Sequence, residues 1–99
     1  MNPFLSQVQA FIKCTGGTFA ITAQRGCTAS KTGTGDYNVT LDRGADETQC
    51  CVAPIVRSAD VAAYVVHTSD TVKQILLRSI SGTPAAADGN FEVMVHRLI

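Results

Sequence analysis

Apolar residues along this chain either alternate with polar ones or gather in short β-branched runs. Gly, Pro, Asp, Asn and Ser interrupt them at intervals of roughly 8 to 15 residues, the pattern of a sandwich of short strands. The first strand is expected over Gln7–Cys14, with Val8, Ala10, Ile12 and Cys14 on one face and Gln7, Gln9, Phe11 and Lys13 on the other. Thr15-Gly16-Gly17 ends it, and Thr18–Thr22 returns as a hairpin partner with Phe19 and Ile21 on one side. Cys27–Lys31 is a weaker strand. After the turn Gly33-Thr34-Gly35-Asp36 comes the clearest one, with Tyr37, Val39 and Leu41 facing in and Asn38 and Thr40 facing out.

Asp42–Thr48 is polar and predicts a surface loop. Gln49–Val56 contains Pro54, which cannot donate to a ladder, so this segment is an edge strand or bends there. Val61–Thr68 and Thr71–Ile80 are long β-branched stretches joined through His67-Thr68-Ser69-Asp70, with faces apolar enough to suggest cover on both sides. For Val72–Ile80 the rival is a helix, since Val72, Ile75, Leu76 and Ser79 also fit helical spacing. Gly82–Asn90 is a long turn. The last strand, Phe91–Leu98, sets Phe91, Val93 and Val95 against Glu92, Met94 and His96. The expected fold is all-β: a single antiparallel, jelly-roll-like β-sandwich of about 7–8 strands, one domain over residues 1–99, with 1–6 as an N-terminal docking arm.

Charge narrows the partners. Eight basic and eight acidic residues give no net charge, and each half of the chain carries four of either sign, so no basic surface for nucleic acid is expected. At 45% hydrophobic and 16% charged the chain is too apolar for disorder, and no run reaches the roughly 20 apolar residues of a bilayer span. A soluble domain this small and weakly charged is expected to cover apolar surface with copies of itself. The first residues show no signal-peptide pattern. The four cysteines are therefore read as reduced, although a bridge from Cys14 or Cys27 to Cys50 or Cys51 is the alternative. Neighbouring Cys50 and Cys51 point to opposite faces of a strand and cannot easily serve one bridge.

Candidate chemistry is sparse. His67 abuts a turn and His96 lies on the last strand, four residues after Glu92; they act together only if the sheet joins them. A zinc site from Cys27, Cys50 or Cys51 with His67 or His96 lacks any Cys-x-x-Cys or His-x-x-x-His pair. Cys51 with either histidine could in form be a nucleophile pair, but Cys50-Cys51-Val52-Ala53 reads as buried strand. Asp36, Asp42, Asp46 and Glu47 lack the spacing of a calcium loop and read as a solvated loop. Ser69-Asp70 beside His67 is turn chemistry, with no Gly-x-Ser-x-Gly elbow. Thr32–Asp36 leads into a strand, not the helix of a phosphate loop. No catalytic residue, metal or cofactor is expected.

The segment Thr32–Leu41, preceded by Ala10–Cys14 with Gly16-Gly17 and followed by Asp88–Val95, resembles small β domains of tailed-bacteriophage virions, tail-fibre tips and other structural proteins. The ordered pieces span roughly residues 8–96. The resemblance implies a viral structural protein, a β-sandwich packing as a homotrimer, with no catalytic residues. Fibre domains of this kind end a long shaft, and here the first strand begins almost at Met1. The expectation is therefore a capsid decoration or cement protein, located in the virion after assembly in the host cytoplasm, with the major capsid protein as partner. Neither nucleic acid nor membrane is expected as partner. Pro3, Phe4 and Leu5 of the arm are the candidate interface residues. The alternative is a receptor- or glycan-binding tip module of a head or tail fibre.

Overall fold

The computed structural model describes residues 6–98, and Pro3, Phe4 and Leu5 lie outside the described residues. Eight strands follow one another: β1 (Ser6–Thr15), β2 (Ala20–Arg25), β3 (Cys27–Gly33), β4 (Asp36–Leu41), β5 (Cys50–Val56), β6 (Val61–His67), β7 (Val72–Ser79) and β8 (Phe91–Leu98). They form two antiparallel sheets of four, in the order β2-β1-β8-β5 (sheet A) and β3-β4-β7-β6 (sheet B). The all-β sandwich expected from the alternation is the fold. Val72–Ile80 is strand and not helix over Val72–Ser79.

The core is built from alternate residues of both sheets. Ala10, Ile12, Cys14, Phe91, Val93 and Val95 enter from sheet A, and Cys27, Tyr37, Val39, Leu41, Ile75 and Leu77 from sheet B. Tyr37 is its aromatic centre, with ring centroids 4.7 Å from Phe91 and 5.8 Å from Phe19. Burial pushes the Cys14 thiol up to about 11, helped by neighbouring Cys27, and Cys27 to about 11 as well; both are inert core groups.

Pro54 lies on β5, an edge of sheet A, where its missing N–H leaves no gap in a ladder. Three expectations fail for local reasons. Val8 is exposed, because the β1–β8 register shifts between Val8 and Ala10 and turns Val8 outward. Cys51 is exposed, because it falls on the outward positions of an edge strand; only Cys50 packs on the core. Nothing among the described residues covers the outer side of β6: Tyr64 and Val66 alternate with inward Ala63 and stand in solvent. The hairpin return is also displaced, since the turn runs through Phe19 and β2 begins at Ala20.

Candidate functional site

Three loops meet at one end of the sandwich, and they carry the pieces of the motif set. Asp88 Oδ1 accepts from Gly35 N at 2.9 Å and from Tyr37 Oη at 3.0 Å, while its Oδ2 accepts from Lys31 Nζ at 2.8 Å. The Gly16 carbonyl accepts from Lys31 Nζ at 3.2 Å and Tyr37 Oη at 3.3 Å. Gly35 adopts φ +69°, a conformation that a side chain disfavours, and its carbonyl accepts from Leu77 N. A Cβ on Gly16 would press into the backbone of Gly89. The glycines, Tyr37 and Asp88–Asn90 of the motif thus form a fastening between chain ends and middle.

Hydrogen bonds from Lys31, Gly35 and Tyr37 hold the Asp88 carboxyl below the usual carboxylate range. Burial, then the bond to Asp88, raises the Tyr37 hydroxyl. A depressed folded-state carboxyl contributes stability that is present above the unfolded value, about 3.9, and lost as pH falls through the folded one. Urea titrations at several pH values are expected to show Asp88→Asn less stable than wild type at pH 7, with the two converging as pH drops below about 4. Parallel curves would remove Asp88 from the acid sensitivity.

A cleft of about 150 Å³ opens between the sheets at the β5/β6 side, lined by Glu47, Cys50, Val52, Val65, His67 and Lys73. Lys73 shares the inward face of β7 with Ile75 and Leu77 and is 1% exposed. Its Nζ donates to Ala45 O, Ser69 O and His67 Nδ1, each at 2.8 Å. With the ammonium donating, His67 accepts on Nδ1 and carries its proton on Nε2, 3.8 Å from Asp70 Oδ1. All three partners of Lys73 are uncharged, and its three donors are used. The cation pins the Asp42–Gln49 loop to the β6–β7 turn and has no proton left to offer a ligand. Sequence reasoning missed Lys73; its parity with Ile75 and Leu77 was the available signal.

The other candidates separate. His67 faces the cleft, whereas His96 lies on the outer face of sheet A opposite Cys51. Among the described residues no three of His, Cys, Asp and Glu converge as a metal site. Asp46 Oδ1 accepts from Thr48 N and Thr48 Oγ1, which lowers its pKa and closes the loop on itself. Ser69 Oγ accepts from Val72 N as a turn residue. Elsewhere Glu92, largely buried, takes Arg57 and Lys13, and Asp36 at the start of β4 pairs with Arg78 at 3.0 Å.

The remaining distinctive feature is apolar. Val8 and Ile55 project from the outer face of sheet A, beside half-buried Phe11 and Met94. On sheet B, Tyr64 of β6 stands opposite outward Leu76 of β7 and Val66 opposite Gln74, while β3 and β4 show Thr28, Ser30, Asn38 and Thr40. Each sheet therefore carries apolar side chains on the face turned away from the core. Comparison with protein-family models, curated proteins and solved structures gives no match to this chain.

Proposed function

We propose that this is a non-enzymatic structural protein whose work is association: a capsid decoration, or cement, protein of a phage virion that assembles in the host cytoplasm and stiffens the major capsid shell. The observation that carries the assembly reading is the apolar surface on the outer faces of both sheets, with Val8, Ile55, Tyr64 and Val66 each more than two-fifths exposed. Interfaces with an apolar centre and a polar rim are made from such surfaces. The balanced charge suits protein partners better than polyanions. The virion assignment rests on the motif resemblance, which also implies a homotrimer, and the motif residues themselves fasten the fold.

Quantitative mass spectrometry of purified particles of the virus carrying the gene is expected to find the protein in many copies per capsid. Its presence in infected-cell lysate and consistent absence from particles would overturn the virion reading. A second reading, a glycan- or receptor-binding tip, is favoured by one observation, the exposed ring of Tyr64, since sugars stack on such rings. Specific glycan-array binding abolished by Tyr64→Ala, without shell binding, would favour it.

A further inference from the structure

The two outer faces of the sandwich differ in charge. On sheet B the outward residues carry one balanced pair, Arg78 with Asp36, and are otherwise uncharged. On sheet A, Lys13, Arg25 and Arg57 stand against a single carboxylate, Glu92, an excess of two positive charges on a chain that has none overall. These cations surround an apolar centre. The ladders align Phe11 of β1 with Met94 of β8 and Met94 with Ala53 of β5, while Arg25 of β2 flanks Phe11 and Ile55 continues β5 toward Arg57. Glu92 occupies only part of its two cations: Arg57 gives it Nε and Nη2 and keeps Nη1, and Lys13 stays 3.7 Å away with half of its side chain exposed. At this end of the face a hollow of about 280 Å³ is lined by Lys13, Arg57, Thr15, Thr22 and Asn90, and by no acidic residue among the described residues. Asn90 Oδ1 accepts from Gly16 N, which leaves its amide N–H groups as donors.

We propose that the outer face of sheet A is where this protein meets the shell, and that the shell protein brings an acidic side chain into the hollow beside Lys13 and Arg57 and apolar side chains onto Phe11, Met94 and Ile55. This rests on the virion reading and names the surface and the partner chemistry it uses. Charge selects the partner's sign, since a carboxylate entering the hollow meets an ammonium, a free guanidinium nitrogen and an amide donor, and offsets an excess of positive charge that Glu92 leaves uncompensated. The apolar centre selects its class. A phosphate backbone gains nothing from covering Phe11 and Met94, whereas a protein surface with apolar residues rimmed by carboxylates buries the centre and pairs the rim in one contact. The uncharged outer face of sheet B offers an acidic partner no such rim.

Particles of the virus carrying the gene, produced without this protein, are the probe, and co-sedimentation reads the binding of the added full chain. Arg25→Glu/Lys13→Gln, altering exposed positions only, is expected to weaken binding at least about 10-fold at about 0.15 M salt, with sheet content retained by circular dichroism. Ile55→Lys adds a cation but removes apolar surface, so it too is expected to weaken binding, by about 10-fold, where a purely electrostatic contact would strengthen. Thr40→Glu, on the outer face of sheet B, is expected to change binding by less than about 2-fold. Carbodiimide joins an amine directly to a carboxylate, and on wild-type chain bound to particles it is expected to link Lys13 to an Asp or Glu of the shell protein. Links formed only by other amines, binding strengthened by Ile55→Lys, or tighter binding to a DNA duplex or to phosphatidylglycerol vesicles than to particles would each overturn the sheet A docking. Wild-type binding indifferent to the sheet A variants would overturn the docking alone, and failure of wild type to bind the particles at all would overturn the virion reading together with the docking that rests on it.

Discussion

Gly16→Ala is expected to lower stability by about 3 kcal/mol, roughly 12–24 °C in melting temperature for a domain of this size. The new Cβ would lie 2.8 Å from both Gly89 N and Tyr37 Oη and closer still to the Gly89 carbonyl oxygen. Backbone cannot rotate away as a side chain can, so β1 would have to part from the segment entering β8. Doing so would lengthen the Gly16 carbonyl's bonds to Tyr37 and Lys31. Gly17→Ala is the control: nothing lies within 4 Å of the place its methyl would occupy, and a change within about 0.5 kcal/mol is expected. Thermal and urea unfolding of both variants measure this, and equal effects would remove the close approach as the cause.

Lys73→Ala is expected to cost about 3 kcal/mol, through a cavity beneath the cleft and the loss of charge-assisted bonds to Ala45, Ser69 and His67. Lys73→Met keeps most of the stem's packing and removes the burden of a buried ammonium, so a smaller loss, about 1–2 kcal/mol, is expected. In both variants, amides of the Asp42–Gln49 loop should exchange faster, because Ala45 O has lost its tie. A Lys73→Met protein as stable as wild type would mean that desolvating the ammonium cancels what its hydrogen bonds contribute.

Where a strand alternates cleanly, sequence reading goes far. Tyr37, Val39 and Leu41 are buried as their spacing predicts, and Pro54 marks an edge. The reading stops where position in the sheet decides. Cys51 and Cys50 look equally apolar in sequence, but only the ladder to β8 fixes which of them faces out. Val8 obeys the alternation until an irregularity one residue later reverses its direction. Tyr64 and Val66 read as covered because their neighbours are apolar, and none of the described residues is placed over them. Lys73 is hidden by its own chemistry, since a lysine in a strand is ordinarily assigned to solvent.

The place of β8 governs how the chain can fold. Phe91–Leu98 lies in the middle of sheet A, bonded to β1 on one side and β5 on the other. Until the chain has been made as far as Leu98, β1 and β5 have no common neighbour and the inner face of sheet B has no complete lid. Closure therefore brings together segments from opposite ends of the sequence, an arrangement associated with slow, late and cooperative folding. During that wait the earlier hairpins show their apolar faces to other chains, so conditions of synthesis, and not only the stability of the finished sandwich, set the yield of native protein.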